Sequence, residues 1–98
     1  MLYTQQELFD KLRALKPMLY SRYGISRIGV FGSYAIGAQD KDSDVDLLIE
    51  LSRPLGWEYF GLASRFEELL HTRVDVATAN ELKPRIKNEV LKQVIYIE

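Results

Sequence analysis

Residues 25–51 read ISRIGVFGSYAIGAQDKDSDVDLLIEL, and this stretch decides the fold. Ile25 to Phe31 is rich in β-branched and apolar residues, which predicts a buried strand that Gly32-Ser33 brings to a stop. Ser33 is placed to cap a short helical turn through Ala35. The segment 37–43, GAQDKDS, is polar turn material. Asp44 to Leu51 then alternates as a strand does. Val45, Leu47, Ile49 and Leu51 share one face, and Asp44, Asp46, Leu48 and Glu50 share the other. Two aspartates at i and i+2 on a strand project from one face with Cα atoms roughly 6.6 Å apart, so both lean toward a common point.

Such a carboxylate pair suits metal-assisted phosphoryl chemistry. Two-metal displacement needs oxygen ligands around cations about 3.5–4 Å apart. Mg²⁺ is a hard ion that takes carboxylates and substrate phosphates, so no histidine or cysteine cluster is required. Gly32 lets the backbone approach a phosphate, while turn N–H groups and the Ser33 hydroxyl supply donors. A third carboxylate, Asp75, lies in the strand-like segment Arg73 to Thr78. If that strand neighbours Asp44–Leu51, Asp75 faces the same site and can act as general base on an attacking hydroxyl. Each piece alone is commonplace, since D-x-D is more often a solvated face and Gly-Ser a plain turn. The joint pattern arises by chance in roughly one chain of this length per thousand.

Outward from this centre, the chain reads as alternating helices and strands. Thr4-Gln5-Gln6-Glu7 has the form of a capping box, and Leu8, Leu12, Leu15 and Leu19 follow at helical spacing. Pro17 inside that run predicts a kink or restart, and Gly24 suits the left-handed residue that ends a helix. After a turn at Arg53-Pro54, a helix is expected with Tyr59, Leu62, Phe66, Leu69 and Leu70 on its apolar stripe. Pro84 fits a first helical position, with Ile86, Val90 and Leu91 as the inner face of that last helix. Val94 to Ile97 reads as a short strand or extended docking segment. The expected fold is an α/β (α+β) domain, a small mixed sheet flanked by helices, with residues 1–98 forming a single domain.

Composition narrows the class further. With 47% hydrophobic and 28% charged residues, the chain is built like an ordinary globular protein. It has no cysteine, which excludes a disulfide framework, a thiolate metal site and a cysteine nucleophile. No run approaches the roughly 20 apolar residues of a membrane helix, and the N-terminus does not read as a signal peptide. A cytoplasmic location is expected. The net charge of −1 argues against a broad nucleic-acid surface.

RIGVFGSYAIG, DSDVDLLIEL, RVDVAT and LKPRIKNEVL together resemble the nucleotidyltransferases that share the DNA polymerase β-type palm. Their signature is G-S, a spacer, D-x-D and a later carboxylate. The closest likeness is to the short MNT-type branch, and it covers nearly the whole chain. The resemblance implies an antitoxin that transfers AMP from ATP onto a tyrosine of a HEPN-domain toxin, with Mg²⁺ as cofactor. By residue, it implies that Gly32 and Ser33 hold the triphosphate, that Asp44, Asp46 and Asp75 form the catalytic and metal-ligating set, and that Asp75 serves as base. One position departs from the pattern, because the family's GSYARG usually carries Arg where this chain has Ile36. An arginine there serves either the nucleotide or partner, or packs its stem. Two other functions compete: an antitoxin that neutralises by contact alone, and transfer to a small molecule. The second fits poorly, since such relatives carry an extra helical domain.

The remaining polar and aromatic features have plain structural readings. His71 stands at an expected helix C-terminus, which favours a cation. Trp57, Tyr59 and Phe60 are expected in the core or at an interface. Lys83, Arg85, Lys87 and Lys92 form either a solvated helix face or a phosphate- or partner-facing strip. Tyr34, next to Ser33, is explained equally by packing and by nearness to a nucleotide.

Overall fold

The computed structural model describes residues 2–98. Helix α1 spans Gln5–Tyr23 and begins at the capping box read from the sequence. The Glu7 N–H donates to Thr4 Oγ1 at 3.0 Å, and the Thr4 N–H donates to Glu7 Oε1 at 2.8 Å. Gly24 closes the helix at φ 70°, its N–H donating to the Leu19 and Tyr20 carbonyls. The restart expected at Pro17 does not occur. Proline removes one donor, and Pro17 lies on the exposed side of α1, while the buried Leu12 and Leu19 anchor the turns before and after it.

Four strands form one mixed sheet: β1 Ile25–Phe31, β2 Val45–Leu51, β3 Val74–Ala77 and β4 Ile95–Tyr96, in spatial order β3-β2-β1-β4. β1 pairs antiparallel with β2 and β4, whereas β2 and β3 run parallel. A parallel neighbour needs a crossover, and helix α2, Leu62–Leu70, lies within it. Helix α3, Pro84–Gln93, opens with Pro84 as expected and leads into β4.

One face of the sheet carries the core. Val45, Leu47 and Ile49 of β2, with Ile28 and Val30 of β1, pack among Leu8, Leu12 and Leu19 of α1 and Leu62, Phe66 and Leu70 of α2. Leu48 on the other face is also buried, and so is Val90 of α3. The inner face of α3 is narrower than the sequence pattern suggests, because Ile86 and Leu91 stay about half exposed. The second helix also starts later. Residues Gly56–Gly61 form a 3-10 turn that holds Trp57 and Phe60 outside the core, 89% and 78% exposed, and only Tyr59 packs against it. His71 caps α2 in the left-handed region at φ 57°, consistent with its structural reading.

Gly29, at the centre of β1, is where the sheet's second face is tightest. A Cβ there would drive into Val94 Cγ2 and come within 3.1 Å of the Tyr96 ring. Valine is stiff at χ1 and cannot swing away cheaply. Gly29→Ala is therefore expected to lower stability by about 1–3 kcal/mol by urea denaturation, with loss of the β4 amide protection in hydrogen exchange. An unchanged midpoint would show that the β4 segment is not docked against β1.

Candidate active site

The site is assembled where β1 ends and β2 and β3 begin. Parallel pairing places Asp46 opposite Asp75, and antiparallel pairing places Phe31, the residue before Gly32, opposite Asp46. Register alone therefore brings Gly32, Asp46 and Asp75 to one end of the sheet. Asp44 precedes β2 rather than beginning it, and its carboxylate is tied to Arg73, whose Nε lies 2.9 Å from Asp44 Oδ1. Arg73 Nη2 also donates to the Asp42 carbonyl at 2.9 Å. The Val45 N–H donates to the Arg73 carbonyl at 2.9 Å, so main chain and side chain together fasten the approach to β2. The sequence pattern did not mark Arg73 as a site residue. Its position two residues before Asp75 was the available signal.

Gly32 is required by two independent constraints. Its φ is 73°, in the left-handed region, and a Cβ there would collide with the Asp46 carboxylate. The turn that follows differs from the sequence expectation. It is a three-residue 3-10 turn, Gly32–Tyr34, with Phe31 at its cap position and no side-chain cap. Ser33 is thus inside the turn instead of capping it, and so short a turn carries little dipole. What it offers a phosphate is its first main-chain N–H groups, which have no acceptor within the turn, and the Ser33 hydroxyl. Tyr34 is settled as packing: it is 1% exposed, and its hydroxyl accepts from the Tyr3 N–H at 3.3 Å.

Burial and the crowding of like charges together set the electrostatics. Asp46 is pushed up to about 6, first by burial, then by the negative charges of Asp75 and Asp44 and by the closeness of the Asp75 carboxyl. Asp44 Oδ1 is buried, and its one cationic neighbour among the described residues is the Arg73 Nε at 2.9 Å. A carboxylate held above its usual range beside a second carboxylate is a pair that suits a divalent cation. Among the described residues, no three acidic or histidine side chains form a preassembled metal cage. Asp44 and Asp46 are the residues suited to hold such an ion together with phosphate oxygens. Asp75 is exposed and faces the same place. No helix among the described residues is long and apolar enough to cross a membrane.

Known proteins place this geometry. The family described as the nucleotidyltransferase domain matches residues 12–97. The protein adenylyltransferase MntA of Thermococcus cleftensis is 39% identical over 95 residues, covering 96% of this chain and 96% of that protein. A candidate minimal nucleotidyltransferase of known structure superposes with a TM-score of 0.74 at 36% identity over 95% of each chain. A toxin–antitoxin crystal structure with AMP-PNP shares the fold, at a TM-score of 0.72 and 21% identity, over 91% of this chain and 73% of that one.

Two consequences are measurable in the metal-free protein. Folding raises the Asp46 value from 3.8 to about 6, so the folded state holds that proton more tightly than the unfolded chain. The resulting stability is present below the unfolded value and is lost as pH rises from about 4 through about 6. Asp46→Asn should therefore stabilise the protein at pH 7.5 by about 1 kcal/mol, a figure reduced for solvent screening of a half-open site, and the gain should fade toward pH 4. Equal urea midpoints at both pH values would contradict the crowding. Gly32→Ala should cost about 1–3 kcal/mol through φ strain and displacement of Asp46. Combining it with Asp46→Ala, which clears the obstructing carboxylate, should recover part of that loss; no recovery would mean that φ strain alone accounts for the cost.

Proposed function

The chain belongs to the nucleotidyltransferase domain family, and from that premise we propose that it moves AMP from ATP to a hydroxyl of a protein partner. The observation that carries this reading is the register that sets Asp75 beside Asp46, with the Gly32 turn against the same carboxylate. In the proposed reaction, the Gly32-Ser33 turn seats the triphosphate, and Asp44 and Asp46 hold Mg²⁺. When bound, the metal neutralises charge developing on the transferred phosphoryl group. Asp75 takes the proton of the acceptor hydroxyl, the hydroxyl oxygen bonds to the α-phosphorus, and pyrophosphate leaves. Arg73 positions Asp44 rather than touching the nucleotide.

The proposed acceptor is a tyrosine of a HEPN-type toxin, which makes this chain an antitoxin acting in the cytoplasm as one domain of residues 1–98. Support comes from the motif likeness and from the relative named a protein adenylyltransferase. Neutralisation by contact alone is a second reading, favoured by the exposed Trp57 and Phe60, which offer apolar area to a partner.

Asp75→Asn separates the two. Asn is nearly isosteric, and the exposed Asp75 side chain is not part of the core. On the enzymatic reading, the variant still co-purifies with the toxin, adds no AMP mass to it and fails to protect co-expressing cells, with turnover reduced about 10²-fold or more. Full protection by a variant that leaves the toxin mass unchanged would establish blocking by contact instead.

A further inference from the structure

β3 is shorter than its neighbour, and its early end leaves part of the β2 edge bare. The last register pair is Leu48 with Ala77, so Ile49, Glu50 and Leu51 run on without a partner strand on that side. A cavity of about 390 Å³ occupies the step, lined by Ile49, Glu50 and Leu51 on β2 and by Thr78, Ala79 and Asn80 beyond β3. Other edge groups carry side-chain covers. The Val74 N–H of β3 donates to Glu67 Oε2 at 3.1 Å, and the Thr78 N–H donates to Glu81 Oε1 at 2.8 Å. Just past β4, the Ile97 carbonyl accepts from Lys16 Nζ at 2.8 Å. Covers of this kind keep strand edges from pairing with other chains. Among the described residues, no side chain covers the main chain of Ile49 or Leu51 in this way.

Main-chain direction sets what the step offers. The Val45 N–H donates toward β3, to the Arg73 carbonyl, and the Ser52 N–H donates toward the β1 side, to the Gly24 carbonyl. Successive residues alternate, so odd-numbered residues of β2 turn their N–H and C=O toward the β3 side. Among the described residues, no hydrogen bond joins 49–51 to 78–80, which leaves the Ile49 carbonyl and the Leu51 N–H without partners there. In the parallel pattern that β3 follows, one residue opposite Glu50 would donate to the first and accept from the second. A peptide backbone carries that donor and acceptor on a single residue. Exposed rings stand beside this edge. The Tyr59 hydroxyl donates to Glu81 Oε1, one residue past Asn80, and the Tyr59 ring meets Phe60 edge-on with centroids 6.2 Å apart. Phe60 in turn lies 5.8 Å from Trp57. Both outer rings are held out of the core, and aromatic residues are enriched where proteins meet.

We propose that this step is a docking site for an extended segment of a partner protein, which adds to β2 as a short parallel strand. Main-chain pairing with Ile49 and Leu51 supplies the hold, and the neighbouring side chains supply selectivity. The walls define the segment's chemistry. A β-branched or other apolar residue suits the place beside Ile49, Leu51 and Ala79, and a further apolar residue suits the rings of Trp57 and Phe60. Leu51 lies five residues along β2 from Asp46, roughly 17 Å, so docking here needs none of the chemistry at the carboxylate end.

The test is selection of a phage-displayed library of short random peptides on the immobilised protein, with Ala79→Arg, which fills the step, as the control surface. Enriched peptides are then synthesised and titrated against wild type, Ala79→Arg and Trp57→Ser, with circular dichroism reporting folding. Trp57 lies outside the core, so Trp57→Ser keeps the comparison open should Ala79→Arg disturb the fold. The expected result is a set of apolar peptides that bind wild type and lose about tenfold in affinity for each variant. Bound peptide should slow hydrogen exchange of the Leu51 amide, and N-methylation stepped along the peptide should find one residue at which affinity falls about tenfold. Three results overturn the proposal: enrichment no greater on wild type than on the folded variants, a Leu51 amide whose exchange is unchanged by bound peptide, or N-methylation tolerated at every residue. A wild type that sediments as a dimer while Ala79→Arg sediments as a folded monomer would assign the step to a second copy of this chain and overturn the partner segment.

Discussion

The constraint on which the rest of the site depends is the confinement of like charges at the start of β2 and β3. Asp46 and Asp75 are held opposite one another by main-chain pairing, with Asp44 close by. Carboxylates free to move would separate, so the arrangement persists only because the strands beneath are fixed. The fixing force is apolar burial on the other face, where Val45, Leu47 and Ile49 have at most 1% exposure. At about 25 cal/mol per Å² of apolar surface, each such side chain contributes on the order of 1.5–3 kcal/mol, which exceeds the cost of crowding one half-open carboxylate. Alternation along β2 thus makes one strand both the anchor and the source of charge.

Much of this was legible in the sequence because it follows from local rules. The capping box at Thr4, the left-handed Gly24 and the bounds of β1 agree with what residue type and period predict. That Gly32 and Asp46 serve one site was implied by D-x-D following Gly-Ser, although the contact between them that requires glycine needs coordinates to see. What was not legible depends on neighbours distant in sequence. Leu48 shares a face with aspartates yet is 2% exposed, while Ile86 and Leu91 have helical spacing yet remain half open. Periodicity assigns a side to a residue, but only the packing of another element decides whether that side is covered. Arg73 was passed over for the same reason, since its partner Asp44 is brought to it by the parallel ladder.

Ile36 illustrates how exposure limits the possible roles of a position. Its side chain is 63% exposed in the loop after the Gly32 turn, so little packs against it. The departure therefore costs the fold little.

The length of β3 shapes the carboxylate site and the strand edge beyond it. It has four residues and starts in register with Val45, which puts its only acidic residue level with Asp46. Were it to begin one residue later in the pairing, the strand's pleat would turn Asp75 to the core face and bury a charge there. Its end is set by Thr78, which caps the following 3-10 turn with Glu81: the Thr78 N–H donates to Glu81 Oε1 at 2.8 Å. That box turns the chain away from β2 before Ile49 can gain a strand partner. A short capped strand therefore achieves two things at once. It places a third carboxylate beside the first two, and it leaves the edge of β2 without a strand partner from Ile49 to Leu51.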